Sequence, residues 1–342
     1  RFPERNKNRR DAILGLMAEQ GYISREQAAT ARREPVRVAA SAGMSVAAPY
    51  FVDAVRQTLD RAGIDITAGG LRITTTIDPA LQRAAISALD EGIRGVEAQR
   101  GYRHRTPQNS PRGNTDWLQG AVVAIDPASG DVRAMVGGRD YATAPYNRAT
   151  NGLRQPGSTF KPIVYARALL DSLPPTTILS DTAITIAYDA QVYSPKNADG
   201  EFLGPLTMRE ALARSRNPVA VSLWQREGAD SVIALAQRMG ISSPIAPFPA
   251  SAIGASAVRP IELVAAFTAF ANYGRAVEPR LVLRVQDPVG RTLWGQATRI
   301  LAPAMDSAVA YVAVQMMRDA VDRGTGSAVR RYLPAEIPVA GK

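Results

Sequence analysis

Two short stretches of this chain read as a β-hairpin and almost everything after them as helix, and that order restricts the fold most. Residues 120–125 (GAVVAI) form an apolar run, residues 126–130 (DPASG) carry turn chemistry, and residues 132–136 (VRAMV) form a second run. Runs of this length bounded by Asp, Pro and Gly are strand signals. Beyond them, helical segments are expected over 158–171, 206–214, 218–226, 230–239, 260–273 and 306–321. A further strand pair is expected at 281–286 and 291–294, around the turn from Asp287 to Gly290. A hairpin followed by successive helices predicts a mixed α/β fold, an antiparallel sheet with helices on its faces.

Upstream, residues 9–33 read as two helices. Gly21 closes the first, Ser24 and Gln27 form a capping box for the second, and Pro35 ends it. Residues 36–48 have the Ala, Ser, Gly and Val composition of a linker. Helical spacing returns at Phe51, Val55 and Leu59, and a strand is expected from Leu71 to Ile77. Asp78 and Pro79 then start a helix to about Val96, Asp as N-cap and Pro in the first turn. There is no internal repeat.

A length of 342 residues corresponds to about two domains. With 0 Cys and a single His, His104, the chain excludes disulfide frameworks, thiolate zinc sites, thiol proteases and iron–sulfur clusters. No cofactor and no metal is expected. The formal charge is +10, carried almost wholly by Arg, since the lysines are Lys7, Lys161, Lys196 and Lys342. Such an excess suits an anionic partner. Residues 99–113 hold four Arg and no acid, but no aromatic residues interleave with them, and neither a helix-turn-helix nor a zinc-finger signature is present. A solvated basic surface is expected there, and no nucleic-acid partner. No run of 18 apolar residues is present to span a membrane. The chain begins at Arg1 and stops at Lys342 just after an apolar run, the pattern of a piece cut from a longer protein.

Without Cys or a placed His, a nucleophile needs lysine as its base. Only Ser158 stands three residues before a lysine, Lys161. It follows a Gln155–Gly157 turn that starts a helix, and residues i and i+3 of a helix share a face. The helix N-terminus favours a developing oxyanion at Ser158 and disfavours a protonated Lys161. By itself such a pair is commonly a cap followed by a solvated lysine. Two further segments join it. Ser215 and Asn217, spaced i and i+2 between two helical segments, suit one cleft. Residues 338–342 (PVAGK) read as a strand with Lys342 at its end. Structural roles are expected for Asp126, Asp287, Met316 and Met317, and loop positions for His104, Lys196 and Gly324–Gly326.

The set S-x-x-K, S-x-N and a strand lysine occurs in penicillin-binding proteins and class A β-lactamases. The chain resembles the transpeptidase part of a class A, bifunctional penicillin-binding protein. The likeness runs through RRDAILGLMAEQGYIS, GLRITTTIDPALQRAA, GAVVAIDPASGDVRAMVGG, NRATNGLRQPGSTFKPIVYARAL, YSPKNADGEFLGPLTMREALARSRNPVAV and IGASAVRPIELVAAFTAFANYG. It implies the penicillin-binding transpeptidase fold shared with serine β-lactamases, truncated at the C-terminus. Residues 1–35 would be the tail of a glycosyltransferase domain, 36–116 a linker region, and 117–342 the transpeptidase domain. The third motif of the family is K-T-G, of which this sequence holds Lys342. No glycan polymerisation is expected of residues 1–342, and the natural chain is expected to continue past Lys342.

By the same resemblance, Ser158 attacks the carbonyl of a D-Ala–D-Ala bond in a peptidoglycan stem peptide and Lys161 takes its proton. Ser215 relays a proton to the leaving nitrogen, Asn217 binds the substrate backbone, and Lys342 attracts the terminal carboxylate; the resemblance also leaves a site role open for residues 324–326 and a cleft-edge position open for Lys196. Expected partners are stem peptides, the lipid-linked precursor, β-lactams, cell-wall synthesis proteins and, through an N-terminal anchor, the membrane. The expected location is the periplasmic face of the bacterial inner membrane. A D,D-carboxypeptidase or β-lactamase-like hydrolase, and a non-catalytic penicillin-binding sensor, stay open as alternatives.

Overall fold

The computed structural model describes residues 3–34, 48–67, 69–111, 115–188 and 191–342. The linker composition of 36–47 and the helix stop at Pro35 lie outside the described residues. The chain divides into two compact units, Arg1–Ala47 and Ala48–Lys342.

The first unit is a helical hairpin of α1 (Pro3–Glu19) and α2 (Arg25–Arg33). Gly21 takes a left-handed φ of 80°, which lets the chain reverse after α1. The capping box is made as expected: Ser24 Oγ accepts from Gln27 N at 3.0 Å, and Ser24 N donates to the Gln27 side chain at 2.8 Å. The Arg32 guanidinium donates to the Asp11 carbonyl at 2.8 Å and Arg10 to the Glu34 carbonyl at 2.7 Å, tying the two helices together.

The second unit begins with α3 (Pro49–Arg61), β1 (Arg72–Thr75) and α4 (Pro79–Glu97), so residues 48–116 pack with the later segments of the chain. Asp78 caps α4, its carboxylate accepting from Ala80 N and Leu81 N. The hairpin is β2 (Val122–Ile125) and β3 (Val132–Val136), antiparallel in the register Val123↔Met135. After a 3-10 turn at Gly157–Phe160 come α5 (Lys161–Leu170), β4 (Ile178–Asp181), β5 (Ile186–Tyr188), β6 (Gln191–Tyr193), β7 (Gly204–Thr207), α6 (Met208–Ala213), α7 (Asn217–Glu227) and α8 (Ala229–Arg238). A second 3-10 turn at Pro249–Ile253 leads to α9 (Pro260–Ala271), β8 (Val282–Gln286), β9 (Thr292–Trp294) and α10 (Ser307–Asp322).

The class is mixed α/β with antiparallel pairing in each ladder, as the sequence leads one to expect. Among the described residues the strands form four small ladders, β1-β8-β9, β2-β3, β4-β7 and β5-β6. Thr76, almost fully buried, joins the first two: its hydroxyl donates to the Val132 and Arg280 carbonyls, at 2.9 Å each. The strand expected at 338–342 does not form. A strand needs a ladder partner, and here the Gly341 N–H goes to the Met317 carbonyl of α10. The strands β4 to β7 carry no sequence signal, because three or four residues are too few to show alternation, and Asp or Gly-Pro also interrupts β4 and β7.

The larger core is built around α5, which packs on α7, α8 and α10. Pro162 to Ala166 and Ala168 of α5 are all buried, and a helix apolar on every side belongs inside a domain. Lys161 begins that helix and is buried with it, at 0% exposure. A smaller core seats Phe51 and Leu59 of α3 against Val132, Met135, Val282 and Val285 of the sheets.

Candidate active site

Ser158 owes its position to two glycines. Gly157 has φ 59° and donates its N–H to the carbonyl of Gly254, itself at φ 77°. A Cβ on Gly254 would overlap the Gly157 backbone, so the turn of residues 155–157 can lie on the second 3-10 turn only where no side chain intervenes. Thr159 Oγ1 closes the turn on the Pro156 carbonyl at 2.6 Å. The sequence places Ser158 at a helix start, and the first turn is in fact 3-10, with Lys161 N bonded to the Ser158 carbonyl. In 3-10 geometry residues i and i+3 eclipse one another, so Ser158 and Lys161 lie on one face.

We expect Gly254→Ala to lower stability by about 1–2 kcal/mol from the left-handed backbone alone. Displacement of the Ser158 turn should also slow any covalent reaction at that serine. A thermal melt and a labelling rate, measured together, check both effects; an unchanged variant would mean that the contact positions nothing.

Lys161 Nζ has three acceptors: the Ser215 carbonyl at 2.6 Å, Asn217 Oδ1 at 2.6 Å and Ser215 Oγ at 3.2 Å. An ammonium has three donors, and all are engaged. The spacing argument has Ser158 Oγ meeting Lys161 Nζ; among the described residues the Ser158 hydroxyl, half-buried, makes no hydrogen bond, and the ammonium is turned to the second motif. Burial, first, and the nearby cations Lys342 and Arg216 lower the Lys161 pKa to about 7, against the opposing pull of Asp181.

Ser215 and Asn217 converge because the chain is bent between α6 and α7. Ser215 has φ 60°, unusual for a residue with a side chain. Its N–H bonds the Leu212 carbonyl, and the Arg216 N–H bonds the Ala211 carbonyl, closing the end of α6. Asn217 opens α7 with Pro218 behind it. Its N–H donates to Asn197 Oδ1 at 2.7 Å and its side-chain amide to the Lys196 carbonyl at 2.6 Å. The Lys196 side chain is exposed.

Lys342 arrives from the end of the chain. Its Nζ donates to the Leu212 carbonyl at 3.0 Å and to Thr325 Oγ1 at 3.2 Å, and burial lowers its pKa to about 8. Thr325 is held there because Gly324 lies flat on the Ala213 carbonyl, where a Cβ would collide, and Thr325 N donates to that same oxygen. The loop Gly324–Gly326 thus reaches the site through Thr325.

Ser158, Lys161, Ser215, Asn217 and Lys342 are the site residues expected from the sequence, with a site role left open for the loop that holds Thr325; Asp181, Asn197 and Arg216 are not among them. Arg216 stands between two named residues, and its charge was the available signal. Nothing local marks Asp181. The residues read as structural behave so: Asp126 and Asp287 cap turns through backbone N–H groups, and Met316 and Met317 are buried on α10. His104 is exposed, edge-on to Tyr102. Among the described residues no group of His, Asp or Glu is arranged to hold a metal ion, and no helix is long and apolar enough to cross a membrane.

Residues 120–342 match the family model of the penicillin-binding protein transpeptidase domain. The chain belongs to that family. Among its relatives, penicillin-binding protein 2D of Bacillus subtilis is 32% identical over 327 residues, which cover 92% of this chain and 44% of that protein. The crystal structure of penicillin-binding protein 1A from Haemophilus influenzae superposes with a TM-score of 0.76 at 22% identity, covering 96% of this chain and 67% of that one, and so shares the fold. PonA1 of Mycobacterium tuberculosis, solved in complex with penicillin V, superposes with a TM-score of 0.65 at 25% identity, covering 80% of this chain and 72% of that one. With the 1A and 1B proteins among its relatives, this is the transpeptidase region of a class A penicillin-binding protein. The chain spans about half the length of the curated relatives it matches.

Proposed function

We propose that this transpeptidase domain cross-links peptidoglycan stem peptides through an acyl-enzyme on Ser158. The observation that carries this is the seat of Lys161: a buried amine on the face of Ser158, bonded to Ser215 and Asn217, with a pKa lowered to about 7. A neutral amine is the base that a serine needs in a chain without a placed histidine.

The steps follow from that seat. Neutral Lys161 takes the Ser158 proton as Oγ attacks the carbonyl of the D-Ala–D-Ala bond. The backbone N–H of Ser158, in the first helical turn, is a donor to the oxyanion. The carbonyl–nitrogen bond then breaks, and the proton passes from Lys161 through the Ser215 hydroxyl, 3.2 Å from Nζ, to the departing D-Ala nitrogen. Asn217 holds the substrate backbone, and Lys342, still protonated, draws the terminal carboxylate. The amine of a second stem peptide attacks the ester, yields the cross-link and restores Ser158. A β-lactam, as an acyl donor without a free leaving group, acylates the same serine; the penicillin complex of PonA1 supports this.

In the whole protein, residues 1–35 are the end of a glycosyltransferase domain and 36–116 the connection to a transpeptidase domain that starts near 117. The protein works on the periplasmic face of the bacterial inner membrane, held by an N-terminal anchor, on lipid-linked precursor and nascent stem peptides and beside other cell-wall synthesis proteins.

Incubation of the chain with a pentapeptide donor and an excess of amine acceptor, read by mass spectrometry, separates the outcomes. Cross-linked dimer with release of D-Ala is expected. Tetrapeptide and D-Ala without dimer would make it a carboxypeptidase. A stable β-lactam adduct with neither product would make it a binding module.

A further inference from the structure

Lys161 is held by residues that are themselves held from behind. Asp181, at the end of β4, is 0% exposed and lies outside the set of residues that bond Lys161. Its carboxylate accepts from Arg216 Nε at 2.6 Å, from Asn197 Nδ2 at 2.8 Å and from Leu203 N at 2.9 Å. Two of these donors, Arg216 and Asn197, lead back to the second motif. Arg216 is the residue between Ser215 and Asn217, and its other guanidinium nitrogens reach Asp199, at 2.6 Å, and the Glu201 carbonyl. Asn197 Oδ1 in turn accepts from Asn217 N. The backbone of residues 215–217 is therefore fixed at its centre by one arm of the Asp181 network and at its helical end by the other. The left-handed Ser215 needs such restraint, since a residue in that region keeps its conformation only when its surroundings impose it.

We infer that Asp181 is a positioning residue for the acylation step: through Arg216 and Asn197 it sets Ser215 and Asn217 on Lys161, and the Asp181–Arg216 pair sets the charge around the base. This role presupposes that Lys161 is the base proposed above. A buried pair of this kind also has a purely architectural reading, because removing one partner strands the other. The two readings part on titration. The charged groups that face Lys161 are Lys342 and Arg216, which disfavour its proton, and Asp181, which favours it. Tyr165, one turn on along α5, faces Asp181 and is kept protonated by burial and that carboxylate. Asp199 shares Arg216 from its solvent side.

The test is the rate of fluorescent penicillin acylation by the protein with its third motif complete, followed from about pH 6 to about pH 10 in roughly one-unit steps. Asp181→Asn keeps the shape and removes the anion; acylation should fall by about 10²-fold, the scale of a misplacement of ~1 Å. The pH at which the rate rises should at the same time move down, because the neutral base is then easier to form. Arg216→Gln removes a cation while Asp181 keeps its bonds from Asn197 and Leu203, and the rise should move up. Opposite movements in the two variants support the inference. Wild-type rates in both, or slowed rates with the rise unmoved in both, overturn it in favour of simple scaffolding. Should Asp181→Asn give no cooperative melt, Arg216→Lys serves: it keeps the charge and loses the fork, so the rate should fall with the rise in place, and an unchanged rate overturns the inference. No labelling of the wild-type chain would instead sink the proposed function itself.

Discussion

In the protein with its third motif complete, fluorescent penicillin should label Ser158 covalently, and Ser158→Ala should show no label above background at any pH. No second serine combines the same features. Ser158 sits in the turn that opens α5, on the face of Lys161, with its hydroxyl free of competing hydrogen bonds among the described residues. The two left-handed glycines press its turn onto the neighbouring 3-10 segment, so it meets an incoming carbonyl without rearrangement. Ser215, the other serine at the site, is bonded to Lys161 and lies in the bend between α6 and α7 rather than in the first turn of a helix. Ser215→Ala should therefore still take up label at Ser158, more slowly, since it loses a proton relay of the kind worth ~10²–10⁴-fold. Digestion and mass spectrometry locate the adduct. Label on the Ser158→Ala variant at the wild-type rate would remove Ser158 as nucleophile.

The second large effect is at Lys161. Lys161→Arg should lose about 10²–10⁴-fold in acylation rate, the usual scale for a general base. Arginine keeps the charge but cannot give up its proton in this range, and its planar fork does not fit three acceptors arranged around a single nitrogen. The pH dependence has a definite sign. Lys161 must be neutral, and its pKa is lowered to about 7, so the wild-type rate rises as pH passes about 7. Lys342 must be charged to draw a carboxylate, and its pKa is lowered to about 8, so the rate falls again above about 8. A narrow bell results. Its limbs belong to the pair of lysines rather than to either one, because each proton disfavours the other. Lys342→Met should widen the bell on the alkaline side while weakening carboxylate recognition. A rate independent of pH between ~6 and ~9 would mean that neither amine titrates in the reaction.

Much of the helical architecture could be read from the chain itself, because its signals act within a few residues. The Ser24–Gln27 box, Asp78 before Pro79, and the DPASG turn between two apolar runs each name an element, and each forms. The common face of Ser158 and Lys161 likewise depends on a single turn, but the contact expected between their side chains is not made, because the Lys161 amine is bonded to Ser215 and Asn217. The rarity of lysine pointed to Lys161 and Lys342, and the S-x-N spacing to Ser215 and Asn217.

What no window of sequence contains is the depth of those groups and what stands behind them. The Lys161 pKa is lowered because α5, packed on α7, α8 and α10, takes its amine out of water. Lys342 reaches Leu212 across 130 residues of chain. The left-handed turn at Ser215, the Thr325 contact and the Asp181 network are also products of packing between distant segments. The strand expected at 338–342 failed for the same reason, since a strand exists only when another lies alongside, and its Gly341 amide found a helix carbonyl instead. Sequence by itself determined which side chains are available and on which local faces they stand, because caps, turns and i to i+3 spacing are short-range geometry. Tertiary structure alone decided their protonation and their common focus, because desolvation and the approach of unlike segments are properties of the packed core.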